Sequence, residues 1–203
     1  YHSPKRQRQA GATRRRILAA AVRLFAAQGY MTVTMEMIAR EAKVALATVY
    51  LHFAGRAAMV GALAEEIAAA PELSVEQVEQ VDEDADPVEQ VRLGARIICL
   101  VNERAWLIAD LLRSQQGNDP ELARLWMLWR QRHLDAMRRA VSGLASRGGL
   151  RPGLTVEAAA DALYALAGTE VYRALVLERG WSPTVYERWL FETACRELLP
   201  YPE

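Results

Sequence analysis

The sequence contains little cysteine: Cys99 and Cys195 are the only two in 203 residues, and no Cys-x-x-Cys pair occurs. Two isolated cysteines cannot build a disulfide framework or a cysteine-based zinc site. Long apolar runs are also missing, and the polar, basic residues 1–16 lack the apolar stretch of a secretory signal. These absences predict a cytoplasmic protein with no membrane segment, no bound metal and inert thiols.

Groupings of catalytic residues are equally scarce. The chain has three histidines, His2, His52 and His133, and no HExxH, GxGxxG or P-loop motif. No pairing of a nucleophile with a base is visible. The sequence therefore predicts a protein that is not an enzyme and needs no cofactor.

Basic and acidic residues are distributed unevenly, although the formal net charge is zero. Residues 1–60 hold ten lysines or arginines and two acidic residues, a net charge of +8, whereas residues 61–203 carry −8. A basic N-terminal quarter on an acidic body is typical of a contact with nucleic acid or another anionic surface. An arginine run such as residues 14–16 is otherwise usually a solvated helix face.

Hydrophobic periodicity is helical almost everywhere, and no convincing period-two run is present. Thr13 and Thr34 are suitable N-caps, and Asp-Pro or Ser-Pro pairs at residues 86–87, 119–120 and 182–183 are typical of helix starts. The acidic segment 71–86 reads as a short helix plus a solvated link. The sequence predicts an all-α protein. Besides the short helix in the acidic segment, helices are expected near residues 13–28, 35–42, 46–53, 56–70, 87–102, 104–115, 120–147, 156–179 and 183–199.

Residues 34–53 have the pattern of a helix-turn-helix, with two short helices separated by three residues. Neither helix is long enough to be stable alone, so both must pack on the neighbouring helices. Val49 and Phe53, four residues apart, are expected to face the core. The second short helix is then expected to enter the major groove of DNA. Its outer side would carry Leu46, Ala47, Thr48, Tyr50, Leu51 and His52.

Several motifs in the first third of the chain resemble the DNA-binding domain of the TetR family of transcriptional regulators. They are ILxAAxxLF at residues 17–25, Gly29-Tyr30 after it, Thr34 before a short helix, and TVYxHF at residues 48–53, followed by a basic residue. The resemblance implies a three-helix DNA-binding domain over residues 1–55, with a basic N-terminal arm. It implies a helical ligand-binding and dimerisation domain over residues 56–203.

The resemblance also implies a set of DNA-contacting residues. Tyr50 and His52 correspond to residues that touch phosphates in the family, although Tyr50 could instead pack and His52 could cap or pack. Arg56 stands where the family usually has a phosphate-binding lysine, and Lys43 stands where a glycine is common at the left-handed end of a helix. Ala45 replaces the usual Ser or Thr cap. The predicted DNA-binding residues are Thr34, Lys43, Ala45, Leu46, Ala47, Thr48, Tyr50, Leu51, His52 and Arg56.

The resemblance further implies a pocket in the helical body for a small apolar or aromatic effector, for which the body supplies large aromatic faces. Core packing is the alternative for each of these residues. Taken together, the candidate ligand-binding residues are Trp106, Trp126, Trp129, His133, Tyr164 and Tyr172.

The small side chains of residues 158–168, with Val185, Trp189 and Leu190, are suited to a homodimer through the last two helices, with intrachain packing as the alternative. The expected function is that of a ligand-responsive repressor, released by a small molecule from a quasi-palindromic double-stranded DNA operator. The rival is an architectural protein that binds DNA without sequence preference.

Overall fold

The computed structural model describes residues 4–73, 76–79 and 86–200, and all regular structure in these ranges is helical. Within them, no single helix is long and apolar enough to cross a membrane. A 3₁₀ turn spans Pro71–Leu73 and a π-helical segment spans Arg173–Glu178. The α-helices are α1 Pro4–Gln28, α2 Met35–Glu41, α3 Leu46–His52, α4 Arg56–Ala68, α5 Glu76–Glu79, α6 Pro87–Gln115, α7 Pro120–Ser146, α8 Val156–Leu166, α9 Thr169–Tyr172 and α10 Pro183–Leu198.

Helix starts follow the caps that the sequence predicts. The side chain of Thr34 accepts a hydrogen bond from the Met37 N–H, 3.3 Å away, at the start of α2. Asp86 and Asp119 accept from the first turns of α6 and α7, each followed directly by a proline. Ser182 does the same at the start of α10. Each cap satisfies a backbone N–H that has no partner inside its helix.

Three of the predicted helix boundaries are wrong. Helix α1 begins at Pro4 and not at Thr13, so a helix replaces the expected arm from residue 4 onward. The predicted helices 87–102 and 104–115 are one continuous helix. The Asn102 side chain donates its hydrogen bonds to other parts of the fold, so it does not compete with the helical hydrogen bonds of neighbouring backbone groups. The predicted helix 156–179 breaks at Gly168, which takes an extended conformation. Within the segment 71–86, predicted as a short helix plus a solvated link, residues 74–75 and 80–85 lie outside the described residues.

The chain divides into two compact units, residues 1–63 and residues 64–203, and the division falls inside α4. The boundary predicted at 55/56 coincides with the start of this helix. In the first unit, α1, α2 and α3 bury a core that includes Ile17, Ile38 and Val49, each 0% exposed.

The second unit has two apolar clusters. One joins Val141 and Leu144 of α7 to the buried alanines of α8. The other surrounds Tyr186 and Leu190 of α10, both 0% exposed.

Gly149 follows the end of α7, where the chain passes close to Pro87 at the start of α6. An added Cβ there would lie 2.6 Å from Leu144 Cδ1 and 3.1 Å from Pro87 Cβ. We therefore expect Gly149→Ala to destabilise the second unit by about 1–3 kcal/mol, because neighbouring atoms must move to admit the methyl group. Urea unfolding followed by circular dichroism measures this. Gly117→Ala is the matched control, since its Cβ would meet no atom within 4 Å; equal midpoints for the two variants would contradict the prediction.

Candidate functional site

The orientation of α3 is determined by two buried residues. Val49 is 0% exposed and Phe53 is 5% exposed, and both pack into the core of the first unit as the sequence predicts. Val49 lies on the buried side of α3, so the residues on the opposite side of the helix point away from that core. The helix-turn-helix therefore presents its second helix outward.

The outward face of α3 is solvent-exposed and unusually apolar. Leu51 is 82% exposed and Tyr50 is 51% exposed, so neither side chain packs in the core. Ala45 and Ala47 are exposed as well, while Leu46, Thr48 and His52 are half-buried. Of the residues predicted for DNA contact in and before α3, four are therefore exposed and three are half-buried, and their contacts with DNA stay a prediction.

The turn between α2 and α3 contains the left-handed residue that the sequence predicts. Lys43 has φ +54°, and among the described residues it is the only non-glycine with a positive φ. A side chain in this conformation costs about 1 kcal/mol relative to glycine. Arg16 holds the turn from α1, because its Nη2 donates to the carbonyl oxygens of Ala42 at 2.8 Å and Lys43 at 3.1 Å. The Lys43 side chain is exposed.

The N-termini of α2 and α3 differ in how they are capped. Thr34 caps α2, and the pKa of Glu36 in the first turn is lowered by a hydrogen bond to its own backbone N–H and by the Thr34 hydroxyl. Ala45 caps α3 and offers no side-chain hydrogen bond, as the sequence predicts. The first turn of α3 therefore has backbone N–H groups that receive no capping side chain.

Arg56 makes contacts that sequence reasoning did not anticipate. Its Nη1 lies 2.5 Å from the Tyr30 carbonyl oxygen and 2.6 Å from the Val33 carbonyl oxygen, so both Nη1 hydrogens are used. The guanidinium carbon also lies 4.6 Å from the centre of the Tyr30 ring. Arg56 thus ties the start of α4 to the α1–α2 connection, and its predicted phosphate contact stays a prediction.

A cavity of about 840 Å³ lies in the second unit. Its walls come from α6, α7, α8 and α10, with the end of α4 and α5 also contributing. Trp129 and His133 line it, as the sequence predicts for the ligand site. Burial lowers the pKa of His133, which therefore favours the neutral imidazole.

The other four predicted ligand residues are not among the residues that line the cavity. Tyr172 is 3% exposed and packs edge-on against Tyr186 with 5.1 Å between ring centres, and its burial raises its pKa to about 12. Trp106 packs against the same cluster. Tyr164 stacks 4.9 Å from His133 and accepts a hydrogen bond from Arg130. Trp126 is half-buried on α7.

Two buried polar residues of the cavity wall were missed from the sequence. Gln90 and Asn102, each 2% exposed, lie on α6 among apolar residues. The available signal was a polar residue inside an apolar helical stripe, which is uncommon unless it has a hydrogen-bond partner. Burial raises the pKa of Cys99 to about 12, which makes it an unreactive thiol. Among the described residues, no group of three His, Cys, Asp or Glu side chains could hold a metal ion.

Comparison with known proteins agrees with this geometry. Residues 17–63 match the sequence model of a family described as bacterial regulatory proteins, tetR family. The chain is similar to the structure of NalD, the secondary repressor of the MexAB-OprM multidrug efflux pump in Pseudomonas aeruginosa, with 25% identity, a TM-score of 0.72, and coverage of 95% of this chain and 98% of that one.

Two further solved structures have the same fold. One is the triclosan complex of SmeT, which is the repressor of a Stenotrophomonas maltophilia multidrug efflux pump. It has 22% identity, a TM-score of 0.75, and coverage of 95% of this chain and 100% of that one. A protein from Saccharomonospora viridis, described as a candidate transcriptional regulator and crystallised with choline, has 22% identity, a TM-score of 0.75 and coverage of 93% and 98%. No curated protein sequence matches the chain significantly.

Proposed function

We propose that this chain, whose N-terminal domain belongs to the TetR family of bacterial regulatory proteins, is a homodimeric repressor that a small molecule releases from a quasi-palindromic DNA operator. The family consists of transcriptional regulators and not of enzymes. The observation that carries the proposal is the orientation of α3: Val49 is buried while Tyr50 and Leu51 are exposed. This arrangement suits insertion of a short helix into a major groove.

The chemistry of the α3 face favours a particular mode of DNA reading. Its exposed apolar side chains, Ala47 and Leu51 with half-buried Leu46, suit contact with thymine methyl groups. Thr48 supplies a hydroxyl for a base edge. The remaining polar groups of the predicted set would hold phosphates and so position the helix without reading sequence; they are Thr34, Lys43, Tyr50, His52 and Arg56. Ala45 leaves backbone N–H groups of α3 available for the same purpose.

The surface of α8 and α10 supports the dimer part of the proposal. Ala158 and Ala165 of α8 are exposed small residues that would let a partner helix approach closely. Val185 of α10 is 36% exposed and Trp189 is half-buried, and both would fill the space between helices. Leu190 is 0% exposed within its own chain and is not available for this role. Two copies of one reading helix would supply the affinity that a single short helix lacks.

Ligand release is supported by the cavity. A volume of about 840 Å³ lies in the range of sites for small organic molecules. The similar structures crystallised with triclosan and with choline support a ligand in this chain as well. Helix α4 ends at this cavity, where Glu65, Ile67 and Ala68 line it, while Arg56 at the other end of α4 bonds within the first unit. A ligand that binds the two conformations of such a helix unequally would shift their populations.

Selection of bound sequences from a random duplex pool tests the proposal. We expect an inverted repeat with A·T-rich half-sites, bound by a dimer. A pool without any enriched sequence, together with a steep salt dependence, would favour the architectural alternative. A strictly G·C half-site centre would contradict the reading of thymine methyls.

Lys43 provides a separate prediction about DNA contact. Lys43→Gly should stabilise the first unit by up to about 1 kcal/mol, since glycine adopts a positive φ without strain. It should also weaken operator binding several-fold and lower the salt slope by about 2, since each copy in a dimer loses one phosphate contact. Anisotropy titrations across a salt series measure both effects.

Lys43→Arg is the matched control, because it keeps the charge and the strained backbone and should bind the operator as the natural protein does. A Lys43→Gly protein with unchanged affinity and unchanged salt slope would contradict the role in phosphate binding.

A further inference from the structure

Charge is confined to the exposed part of the cavity wall. Four ionised side chains line the cavity, two acidic and two basic, and all four belong to exposed residues. They are Glu65, Arg132, Asp135 and Arg139. Every fully buried residue of the wall is uncharged. A ligand that enters the interior thus meets no ion that could neutralise a charge of its own, and burying an unpaired charge is strongly unfavourable.

The interior wall is aliphatic. Trp129 and His133 contribute its only aromatic rings among the described residues. Recognition of a quaternary ammonium group typically uses a cage of several aromatic faces, which this wall does not supply. Branched and straight aliphatic side chains form most of the surface instead; they include Val91, Ile97, Ile98, Val101, Leu163 and Leu190.

Asn102 places one hydrogen-bond acceptor in this aliphatic wall. Its Nδ2 lies 3.1 Å from the Ala167 carbonyl oxygen and 3.1 Å from the Tyr186 hydroxyl oxygen. A backbone carbonyl can only accept, so the nitrogen of the amide must be on this side. Both Nδ2 hydrogens are then used, which leaves Oδ1 as the atom of this amide that can accept a hydrogen bond from a molecule in the cavity. Asn102 is 2% exposed and lines the cavity, so a donor from a bound molecule would satisfy this oxygen.

We infer that the cavity binds an uncharged aliphatic or alicyclic alcohol whose hydroxyl donates a hydrogen bond to Asn102 Oδ1. The inference rests on the proposed function, in that it names the chemical class of the ligand. A carboxylate in the same place would set its oxygens against the Asn102 oxygen, and neither could donate a hydrogen bond. An ether or alkane would leave Oδ1 buried and unsatisfied, which costs binding free energy.

A set of probes that share a ten-carbon chain tests this inference on the full chain. Titration calorimetry would compare 1-decanol with 1-methoxydecane, decanoate and decyltrimethylammonium. We expect decanol to bind at least fivefold more tightly than the ether, because only the alcohol donates to a buried acceptor. The two ions should bind at least tenfold more weakly than decanol. Equal affinities for alcohol and ether, or an ion as the tightest ligand, would overturn the inference.

Substitution of Asn102 locates the hydrogen bond. In Asn102→Leu, decanol should bind only as tightly as the ether does, and the ether should be unaffected. Asn118→Leu is the matched control, because Asn118 is an exposed asparagine after α6 and lies outside the cavity. Asn102→Leu removes two internal hydrogen bonds, so circular dichroism must first show a folded protein. If Asn102→Leu does not fold, the order of the affinities of the four probes for the natural protein tests the inference instead.

The same probes separate this inference from the proposed function. Release of operator DNA by decanoate or decyltrimethylammonium, but not by decanol, would overturn the inference and leave the proposed ligand-responsive repressor standing. Binding in the expected order without release of DNA would support the ligand class and contradict the release step.

Discussion

Arg56→Ala should destabilise the first unit by about 2–4 kcal/mol, a large effect for one residue at the start of a helix. The variant leaves the carbonyl oxygens of Tyr30 and Val33 without the donors that now lie 2.5 and 2.6 Å away. It also removes the guanidinium from the face of the Tyr30 ring. Urea unfolding monitored by circular dichroism would show the loss as a lower midpoint.

Two comparisons make this result specific to the Arg56 contacts. Arg40→Ala removes an exposed arginine of α2 and should leave the midpoint within about 0.5 kcal/mol of the natural protein. The unfolding midpoint of Arg56→Lys should lie between those of the natural protein and Arg56→Ala. A lysine ammonium group can reach one carbonyl oxygen but cannot reproduce the planar arrangement of guanidinium N–H donors. If Arg56→Ala unfolded like the natural protein yet lost DNA affinity, the structural role would be contradicted and a phosphate contact favoured.

Filling the cavity should abolish ligand binding while DNA binding persists. Ala136 and Ala140 lie four residues apart on α7 and both line the cavity, so phenylalanine at both positions would project two rings into it. We expect the probe 1-decanol to bind this double variant at least tenfold more weakly, and release of operator DNA by 1-decanol to disappear. Operator affinity should stay within about twofold, because the substitutions lie outside residues 1–63, which carry the proposed DNA-contacting residues.

The control moves the same substitutions to the exposed side of α7. Arg138→Phe with Ser142→Phe adds two rings at exposed positions outside the cavity wall and should leave probe binding unchanged. Thermal unfolding of both double variants would verify that they fold. Unchanged probe affinity in the Ala136→Phe, Ala140→Phe protein would show that the probe binds elsewhere and contradict the assignment of the cavity.

The helix-turn-helix and the helix starts were largely predictable from the sequence because their signals are local. The spacing of Val49 and Phe53 predicted which side of α3 is buried, and both residues are in the core. The family resemblance, and not a local pattern, implied a left-handed conformation at Lys43, which has φ +54°. The capping residues Asp119 and Ser182 marked helix starts correctly. A cap, a turn and a helical stripe each depend on residues within a few positions of one another.

The cavity of the second unit was less predictable, because its features join distant parts of the chain. Trp129 and His133 line the cavity, whereas Trp126 and Tyr172, which look equally suitable in sequence, do not. The break at Gly168 falls inside an apolar pattern that otherwise continues as a helix. Periodicity identifies an apolar face but not the element that covers it.

The sequence by itself determined an all-α chain, the helix-turn-helix and the outward side of α3, since these follow from neighbouring residues and the 3.6-residue repeat. Tertiary structure alone decided the cavity wall and the orientation of the Asn102 amide, whose hydrogen-bond partners lie 65 and 84 positions along the chain. It also decided that Arg56 bonds carbonyls 23 and 26 positions away. Contacts over such separations depend on how whole helices pack, and no local pattern encodes that packing.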